Sequence, residues 1–276
     1  MRKLLSSHPQ LLATLACLAL AAGAVLALSV PLDAKAAPAD STGPDAETSS
    51  WGLGIAAIST QKPYAGMDRE NKALPMLSYE NRWLRIGGLG AEIKLPRLGL
   101  GERQHIDFGL VARYDGSGYE ASDAPILNGM ADRKKGFWAG ARATWHTDVA
   151  RLSADWTADA SGHSKGQRFG LSLDKSFRLG AQVMLTPRLG AVWHDKKYVD
   201  YYFGVRGEEA QAGRAAYAGK AGVNTELGLR SAYMFDPHHS IFLDLSVTRL
   251  ASEIRNSPLV DRSTENRVFM GYLYRF

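Results

Sequence analysis

Apolar and polar residues alternate with a period of two along most of the chain from Trp51 to its end. In residues 150–159 the even positions are Ala, Leu, Ala, Trp and Ala, and the odd positions are Arg, Ser, Asp, Thr and Asp. The same pattern recurs in residues 105–114, 136–146, 222–235 and 240–248. A period of two predicts β-strands with one apolar and one polar face, and helical periodicity is absent after residue 50.

The length and polar face of these strands favour a transmembrane β-barrel over a soluble β-sandwich. Several predicted strands have nine residues or more, about what a tilted strand needs to cross a bilayer, whereas most soluble strands are shorter. Glycine and charges of both signs occupy the polar face, as in a lumen where side chains from opposite walls must fit and pair. The predicted fold class is all-β, an antiparallel transmembrane β-barrel, with a soluble sandwich as the alternative.

The alternation predicts twelve strands, or ten if the two short candidates at 82–88 and 90–96 merge or lie outside the membrane. Tight links alternate with long segments, as expected for short periplasmic turns and long outer loops, and an even strand number places both termini in the periplasm. The long segments are 60–73, 115–133, 195–220 and 251–265. The predicted strands are 51–59, 74–80, 82–88, 90–96, 104–114, 136–146, 149–159, 167–178, 181–194, 221–235, 239–250 and 266–276.

The first 36 residues have the pattern of a secretory signal peptide. A basic start is followed by an apolar segment at 11–30 and by a small-residue exit that ends at Ala36, which predicts cleavage there. An uncleaved anchor is the alternative, because the apolar run is about long enough to span a bilayer. Cys17, the single cysteine, lies inside this run without a lipoprotein signal around it, so neither lipidation nor thiol chemistry is expected.

The remaining chain divides into a flexible periplasmic leader at 37–50, rich in Pro, Ala, Ser and Asp, and a barrel at 51–276. The formal net charge of the whole chain is +5, too modest to indicate a nucleic-acid partner.

Side chains that could support catalysis are few and scattered. The pairs His163-Ser164 and His239-Ser240 cannot form a nucleophile–base unit locally, because neighbours on a strand point to opposite faces. The sequence shows no motif of a phospholipase, lipid A deacylase or outer-membrane protease, and no His, Asp or Glu group has metal-ligand spacing. We therefore expect no enzyme activity, no cofactor and no metal ion. The histidines considered are His105, His146, His163, His194, His238 and His239.

The last strand ends on an aromatic residue. Tyr272, Tyr274 and Phe276 share one apolar face with Val268 and Met270. This ending resembles the recognition signal read by the outer-membrane barrel-assembly machinery, which is therefore an expected partner.

Several segments, in order from about Trp51 to Phe276, resemble the MipA/OmpV family of outer-membrane proteins. The most distinctive is the block at 200–205 with its downstream glutamate and tyrosine. The resemblance implies an outer-membrane barrel of a Gram-negative bacterium that acts as a non-enzymatic scaffold linked to the murein machinery, with a lytic transglycosylase and a murein synthase as partners. The positions that carry it are Tyr64, Gly66, Asp68, Pro75, Tyr79, Asp200, Tyr201, Tyr202, Gly204, Val205, Glu209, Tyr217, Ser257 and Pro258.

Two other functions stay open from the residues themselves. A small porin or substrate-specific channel is suggested by charges on the lumen face, although opposite charges could instead pair and plug a barrel of this size. A surface-recognition role could reside in the loop at 200–217, unless its aromatic residues merely pack over the barrel mouth while its charges pair. The candidate lumen charges are Arg113, Arg142, Asp155, Glu226, Arg230 and Asp244.

Cations near the predicted outer rim suggest contact with lipopolysaccharide phosphates in the outer leaflet, or they are scattered solvated charges. They are Arg133, Lys134, Lys135, Lys165, Lys196, Lys197 and Arg249.

Overall fold

The computed structural model describes residues 49–101 and 103–276. Its strands form one closed antiparallel β-barrel, so the predicted fold class is confirmed. The predicted signal peptide and most of the predicted leader lie outside the described residues. Within the described residues, none of the helices is both long and apolar enough to cross a membrane.

The period-two segments of the sequence form the strands of the wall. The strands are β1 (Ser50–Gln61), β2 (Glu70–Glu80), β3 (Leu84–Gly87), β4 (Gly90–Lys94), β5 (Leu98–Gly99), β6 (His105–Asp115), β7 (Gly136–His146), β8 (Arg151–Asp159), β9 (Gln167–Asp174), β10 (Phe177–Leu179), β11 (Val183–His194), β12 (Gly222–Met234), β13 (His239–Arg249) and β14 (Thr264–Arg275). The helices are α1 (Lys196–Phe203) and α2 (Ser252–Arg255), with 3₁₀ turns at Pro125–Leu127 and Gly207–Glu209.

Two of the wall strands are interrupted. β4 and β5 both pair with β6, and β9 and β10 both pair with β11, so each couple is one strand with a short break. Counted this way, the described residues form a wall of twelve strands. The alternative of ten is wrong, because the short strands β3 and β4 are each paired on both sides.

The C-terminal strand closes the barrel. β14 pairs with β13 on one side and with β1 on the other, in a register that runs from Gly52 opposite Arg275 to Gln61 opposite Asn266. The backbone N–H of Phe276 also donates to the carbonyl of Trp51, at 2.9 Å.

Along most of the long strands the exposed positions are mainly apolar and the polar positions face the interior. β13 exposes its leucine, isoleucine and valine side chains, whereas Phe242, Asp244 and Ser246 between them are buried. An apolar outer face is stable only where the surroundings are hydrocarbon. The exposed apolar residues of β13 are Ile241, Leu243, Leu245 and Val247.

The two ends of the barrel differ. The turn end carries short connections at 81–83, 147–150 and 235–238, together with the first residue of β1 and the last residue of β14. The loop end carries the long connections, at 62–69, 116–135, 160–166, 195–221 and 250–263. The long segments predicted from the sequence therefore all lie at one end.

Candidate functional site: a capped chamber

The barrel encloses a cavity of about 1850 Å³, called here the chamber. Its lining extends from the turn end, where Arg82 and Asp236 are exposed, to the underside of the loops, where Tyr64 and Tyr198 are buried. Among the described lining residues, arginine and lysine outnumber aspartate and glutamate. The chamber therefore has a positive bias, which favours anions.

Five of the six charges predicted for the lumen line this chamber: Arg113, Arg142, Asp155, Glu226 and Arg230. Asp244 points inward but does not line it. Its side chain is 0% exposed because Arg230 and Arg188 cover it, with N–O distances of 2.6 and 3.5 Å.

Ion pairs join adjacent strands, or strands with one strand between them, along the chamber wall. Arg188 also pairs with Glu226 at 2.9 Å, and Arg113 pairs with Asp155 at 3.4 Å. One alternative from the sequence was that opposite charges pair and plug the barrel. The charges do pair, but they pair along the wall, and the chamber stays open. The sequence did not indicate that Arg188 takes part in these ion pairs, because its two carboxylate partners lie on other strands, β12 and β13.

The loops at the loop end fold into a compact layer, called here the cap. Its core is aromatic: Trp138 is fully buried, its ring 5.7 Å from that of Tyr198, and Tyr64 lies 4.9 Å from Tyr119 between ring centroids. Tyr64 also donates its hydroxyl to the carbonyl of Tyr202, at 3.1 Å. The cap therefore closes the loop end of the chamber by packed side chains.

A buried ion pair holds the cap from inside. Nη2 of Arg133 lies 2.9 and 2.8 Å from the two carboxylate oxygens of Glu209. The same carboxylate accepts the backbone N–H groups of Ala131 and Arg206, each at 3.0 Å. Burial by itself raises the pKa of Glu209, but these backbone hydrogen bonds and the Arg133 guanidinium outweigh it, so the pKa lies below its usual range.

Arg214 is a second buried cation of the cap, 1% exposed. Its guanidinium donates to backbone carbonyls of three residues, including Glu209 at 2.7 Å and Asn128 at 2.9 Å. Those carbonyls belong to separate loop segments, so Arg214 joins them. Sequence reasoning missed Arg214, because an arginine between glycine and alanine carries no local signal of burial.

The tyrosines of the cap keep their hydroxyl protons. Tyr198 donates its hydroxyl to Oγ of Ser117 and Tyr202 donates to the carbonyl of Lys134, whereas the buried hydroxyl of Tyr119 has no hydrogen-bond partner among the described residues. Burial raises the pKa of Tyr119 to about 12, against the opposing effect of the Arg133 guanidinium. Burial raises the pKa values of Tyr198 and Tyr202 as well. Their hydroxyls therefore stay protonated across the physiological range.

The structure brings most of the family-motif positions together in the cap. Asp200 accepts the backbone N–H of Gly219 at 2.8 Å, and Ser257 donates its hydroxyl to the carbonyl of Phe203 at 2.6 Å. For the loop at 200–217, packed aromatics and paired charges are the arrangement observed. The motif positions in the loop end are Tyr64, Gly66, Asp68, Asp200, Tyr201, Tyr202, Gly204, Val205, Glu209, Tyr217, Ser257 and Pro258, while Pro75 and Tyr79 lie in β2.

The rim cations are only in part available to lipid. Lys134, Lys165, Lys196, Lys197 and Arg249 are exposed, and Lys135 is half-buried, 3.8 Å from Glu70. Arg133 is a correction: its side chain is 2% exposed and binds Glu209, so it cannot reach lipopolysaccharide.

The barrel wall is incomplete beside β2. On the side away from β1, β3 pairs only with Ser78, Tyr79 and Glu80, because the β3–β4 hairpin turns back at 88–89. In the described part of the chain, no strand pairs with residues 70–77 on that side. Pro75, which has no N–H to donate, suits such an edge.

The incomplete edge lies between lipid and an apolar part of the interior. Its outward residues Ala73, Pro75 and Leu77 are exposed and apolar. The inward residues Leu74 and Met76 pack against an apolar cluster on the chamber wall. Backbone groups unpaired at this depth need water or another molecule beside them. The members of the apolar cluster are Ala56, Ile58, Ala232, Phe242 and Phe269, with Met184 packed against them.

A group of two histidines and one aspartate lies inside the turn end of the chamber. His105, Asp107 and His146 bring one ligand atom each within 4.8 Å of one another. The sequence spacing indicated no metal site, since His146 is on a different strand from the other two. Only the β6–β7 register shows that His105 and His146 are directly opposite.

The C-terminal aromatics stand at the turn end of the closing strand. Tyr274 packs its ring 5.0 Å from that of Phe276, and Phe276 is 68% exposed. The ring of Tyr272 lies 6.0 Å from that of His239. The assembly-signal role of these residues stays a prediction.

The architecture defines the class of protein. A closed antiparallel barrel with an apolar outer face and a polar, charged interior is an outer-membrane β-barrel. The family model described as "MltA-interacting protein MipA" matches residues 53–276. The chain belongs to this family, and the resemblance read from its motifs is confirmed.

Individual relatives agree with this assignment. The chain is 25% identical over 236 residues to the putative outer membrane protein YiaT of Escherichia coli (strain K12), which covers 84% of this chain and 93% of that protein. It is 26% identical over 232 residues to the MltA-interacting protein of Escherichia coli (strain K12), which covers 82% of this chain and 90% of that one. The protein therefore resides in the outer membrane of a Gram-negative bacterium.

Among solved structures, an outer membrane channel from Pseudomonas putida F1 is similar at a TM-score of 0.43 and 12% identity, covering 88% of this chain and 100% of that one. A likeness at this level says nothing about what the chain does.

Proposed function

We propose that this barrel is a non-enzymatic, selective passage for small amphiphilic anions, molecules with an apolar body and one anionic group. The observation that carries the proposal is the capped chamber with an incomplete wall. The axial route ends under the cap, whereas residues 70–77 of β2 leave an unpaired edge whose inward residues Leu74 and Met76 pack against the chamber wall. The positive bias of the lining supports anions as the solutes.

The proposed orientation places the turn end in the periplasm and the cap outside. Short periplasmic turns and long outer loops are the usual pattern of bacterial barrels, and both ends of the barrel chain lie at the turn end. In this orientation the chamber opens to the periplasm and its side opening meets lipid tails. The route then leaves the barrel sideways into the outer leaflet, from whose surface an amphiphilic anion passes to water, and so crosses the membrane without following the barrel axis.

Influx into vesicles tests the passage. The refolded chain is reconstituted in liposomes, and entry of naphthalene-2-sulfonate, a permanently charged apolar anion, is compared with entry of naphthyltrimethylammonium. We expect the anion to enter faster than in protein-free vesicles and faster than the cation. Equal rates with and without protein would overturn the proposal.

A paired substitution locates the route. Leu74→Asn with Met76→Asn makes the inner side of the β2 edge polar and is expected to lower anion influx several-fold. The matched control is Val192→Asn, because Val192 lines the chamber on β11, away from β2. A loss of influx in the control that equals the loss in the pair would argue against a route beside β2.

The family description favours a second function, the scaffold role that the sequence resemblance implies. The match to a family described as MltA-interacting, and to a relative of that name, supports docking to a lytic transglycosylase. Docking to a murein synthase rests on the sequence resemblance alone. In the proposed orientation the contact surface is the turn end, where Arg82, Arg178 and Asp236 are exposed. Binding of a purified lytic transglycosylase to the refolded barrel, and its loss on charge reversal of Arg82 and Arg178, is the test. Failure of the native chain to bind would exclude it.

We also propose two partners in the outer membrane itself, the barrel-assembly machinery and lipopolysaccharide. The barrel-assembly machinery is expected to read the C-terminal strand, and the exposed cations of the loop end are expected to pair with lipopolysaccharide phosphates. Reversing the charge of Lys134, Lys196 and Lys197 should raise the sensitivity of cells to divalent-cation chelators. Unchanged outer-leaflet integrity would count against the lipopolysaccharide contact.

A further inference from the structure

Three metal-ligating side chains converge inside the turn end because of strand register. His105 begins β6 and His146 ends β7, and the two residues are directly opposite each other. Asp107 is two residues after His105 and therefore shares its inward face. All three line the chamber.

The distances suit one small cation. Oδ2 of Asp107 lies 3.2 Å from Nε2 of His146 and 3.7 Å from Nε2 of His105. Ligand atoms around a tetrahedral zinc ion, each at roughly 2.0–2.1 Å from the metal, are separated by about 3.3 Å. The two imidazole rings stack with centroids 4.4 Å apart and planes 14° from parallel, so binding of one ion requires the rings to turn until both nitrogen lone pairs point at it.

The Asp107 carboxylate is shared with Arg97. Arg97 donates Nε to Oδ1 of Asp107 at 2.6 Å and Nη2 to Oδ2 at 3.3 Å. Because each carboxylate oxygen can accept more than one contact, Oδ2 can still serve as a metal ligand. The guanidinium opposes a dication by its charge, which predicts moderate affinity.

We propose that His105, Asp107 and His146 form a binding site for a divalent transition-metal ion, with zinc as the ion that best suits two imidazoles and one carboxylate. Hard ions such as magnesium and calcium prefer all-oxygen ligand sets and are excluded by this donor set. Among the described residues these three supply the protein ligands, and a remaining position of a tetrahedral ion would be filled by water or by a solute anion. The site does not depend on the proposed passage.

Calorimetry on the full chain, refolded without a histidine tag, tests the site with zinc alone. We expect one ion per chain. Either His105→Ala or His146→Ala should weaken the Kd at least about tenfold, and the double variant should abolish binding. The control is His238→Ala, since His238 lies at the same end and outside the group.

The fold of each variant is checked by heat-modifiable electrophoretic mobility. Copper(II) bound to the native chain provides a measurement that needs no variant, because its electron paramagnetic resonance spectrum shows splitting from each imidazole nitrogen. Two coupled nitrogens support the site. Absence of zinc binding, an unchanged Kd in the double variant, or a copper spectrum without nitrogen coupling would each overturn it.

Discussion

At the scale of single residues, the cap depends on charges that are buried and fully paired. The Glu209 carboxylate receives two backbone N–H groups and both contacts from Arg133. Removal of one partner of a buried ion pair is costly, because the other charge stays in a low-dielectric place without its counter-charge. The cap is therefore more sensitive to Glu209 than to the exposed glutamate beside it.

Glu209→Gln is expected to destabilise the cap by about 3 kcal/mol, the lower end of the cost of breaking a buried pair, because Arg133 keeps its bonds to backbone carbonyls. Local opening should then raise the rate of proteolysis in the loops of the reconstituted protein by about a hundredfold. Glu208→Gln is the matched control, since Glu208 is exposed. Equal cleavage rates in the two variants would contradict the prediction.

The same carboxylate makes the cap acid-sensitive. Because the pKa of Glu209 is lowered in the folded state, its stabilising contribution is complete above the ordinary glutamate pKa and is lost as the pH falls through the lowered value. Loop proteolysis by an acid-active protease should therefore accelerate below about pH 4. In Glu209→Gln this acceleration should be smaller, and an identical pH profile in the variant would assign the acid sensitivity to another group.

At the scale of elements, the seam between β1 and β14 closes the barrel and requires close backbone approach. A Cβ added to Gly54 would lie 2.1 Å from the carbonyl oxygen of Tyr272 and 3.1 Å from Cα of Leu273. Backbone atoms in a paired strand cannot move away as a flexible side chain can. Glycine at position 54 is thus a packing requirement of the seam.

Gly54→Ala is expected to destabilise the barrel by about 1–3 kcal/mol, the usual cost of overpacking. The measurement is the urea midpoint of the heat-modifiable band in detergent. Gly99→Ala serves as the comparison, because nothing lies within 4 Å of a Cβ added there. A midpoint lowered equally in both variants would point to glycine loss in general and not to the seam.

At the scale of the whole molecule, the cap, the chamber and the β2 edge determine where a solute can go. The cap blocks the axis at the loop end, while the chamber reaches the turn end and an apolar cluster of its wall packs against the incomplete edge. Strand pairing closes the barrel around its circumference. The short strands β3 and β4, however, leave residues 70–77 of β2 unpaired on one side in the described part of the chain. A route for ions straight through the barrel is not expected.

Planar bilayers that contain the native chain should therefore show no steady conductance. Arg214→Ala removes the guanidinium that joins separate cap segments and should produce channel openings by loosening the cap. Arg206→Ala, at an exposed position of the same loop, should stay silent. A stable open channel in the native chain would contradict a closed cap.

The facing of the strands was predictable because it depends on local information, whereas the sequence left the strand number at twelve or ten. In β8 and β13 the alternation alone indicated which residues meet lipid and which meet the interior. The start of β2 was placed four residues too late, at 74 instead of Glu70. The residues at the loop end of β2, such as Lys72, are polar. No alternation of apolar and polar residues therefore marks the start of the strand there.

Groups built across strands and loops were not predictable in the same way. Arg188 with Asp244, and His105 with His146, are joined by register alone, and no spacing along the chain indicates such pairs. The buried position of Arg133 in the cap likewise depends on a glutamate far away in sequence.

By itself the sequence determined the class of fold, the lipid-facing residues and the strand that ends on Phe276, because a period of two is a property of neighbours along the chain. It left the choice between twelve and ten strands to the pairing of β3 and β4. Only the tertiary structure decided that the loops seal one end, that the charges pair along the wall and that the wall is incomplete beside β2. Those features arise from how far each strand extends against its neighbour, and strand register is fixed by packing around the whole barrel.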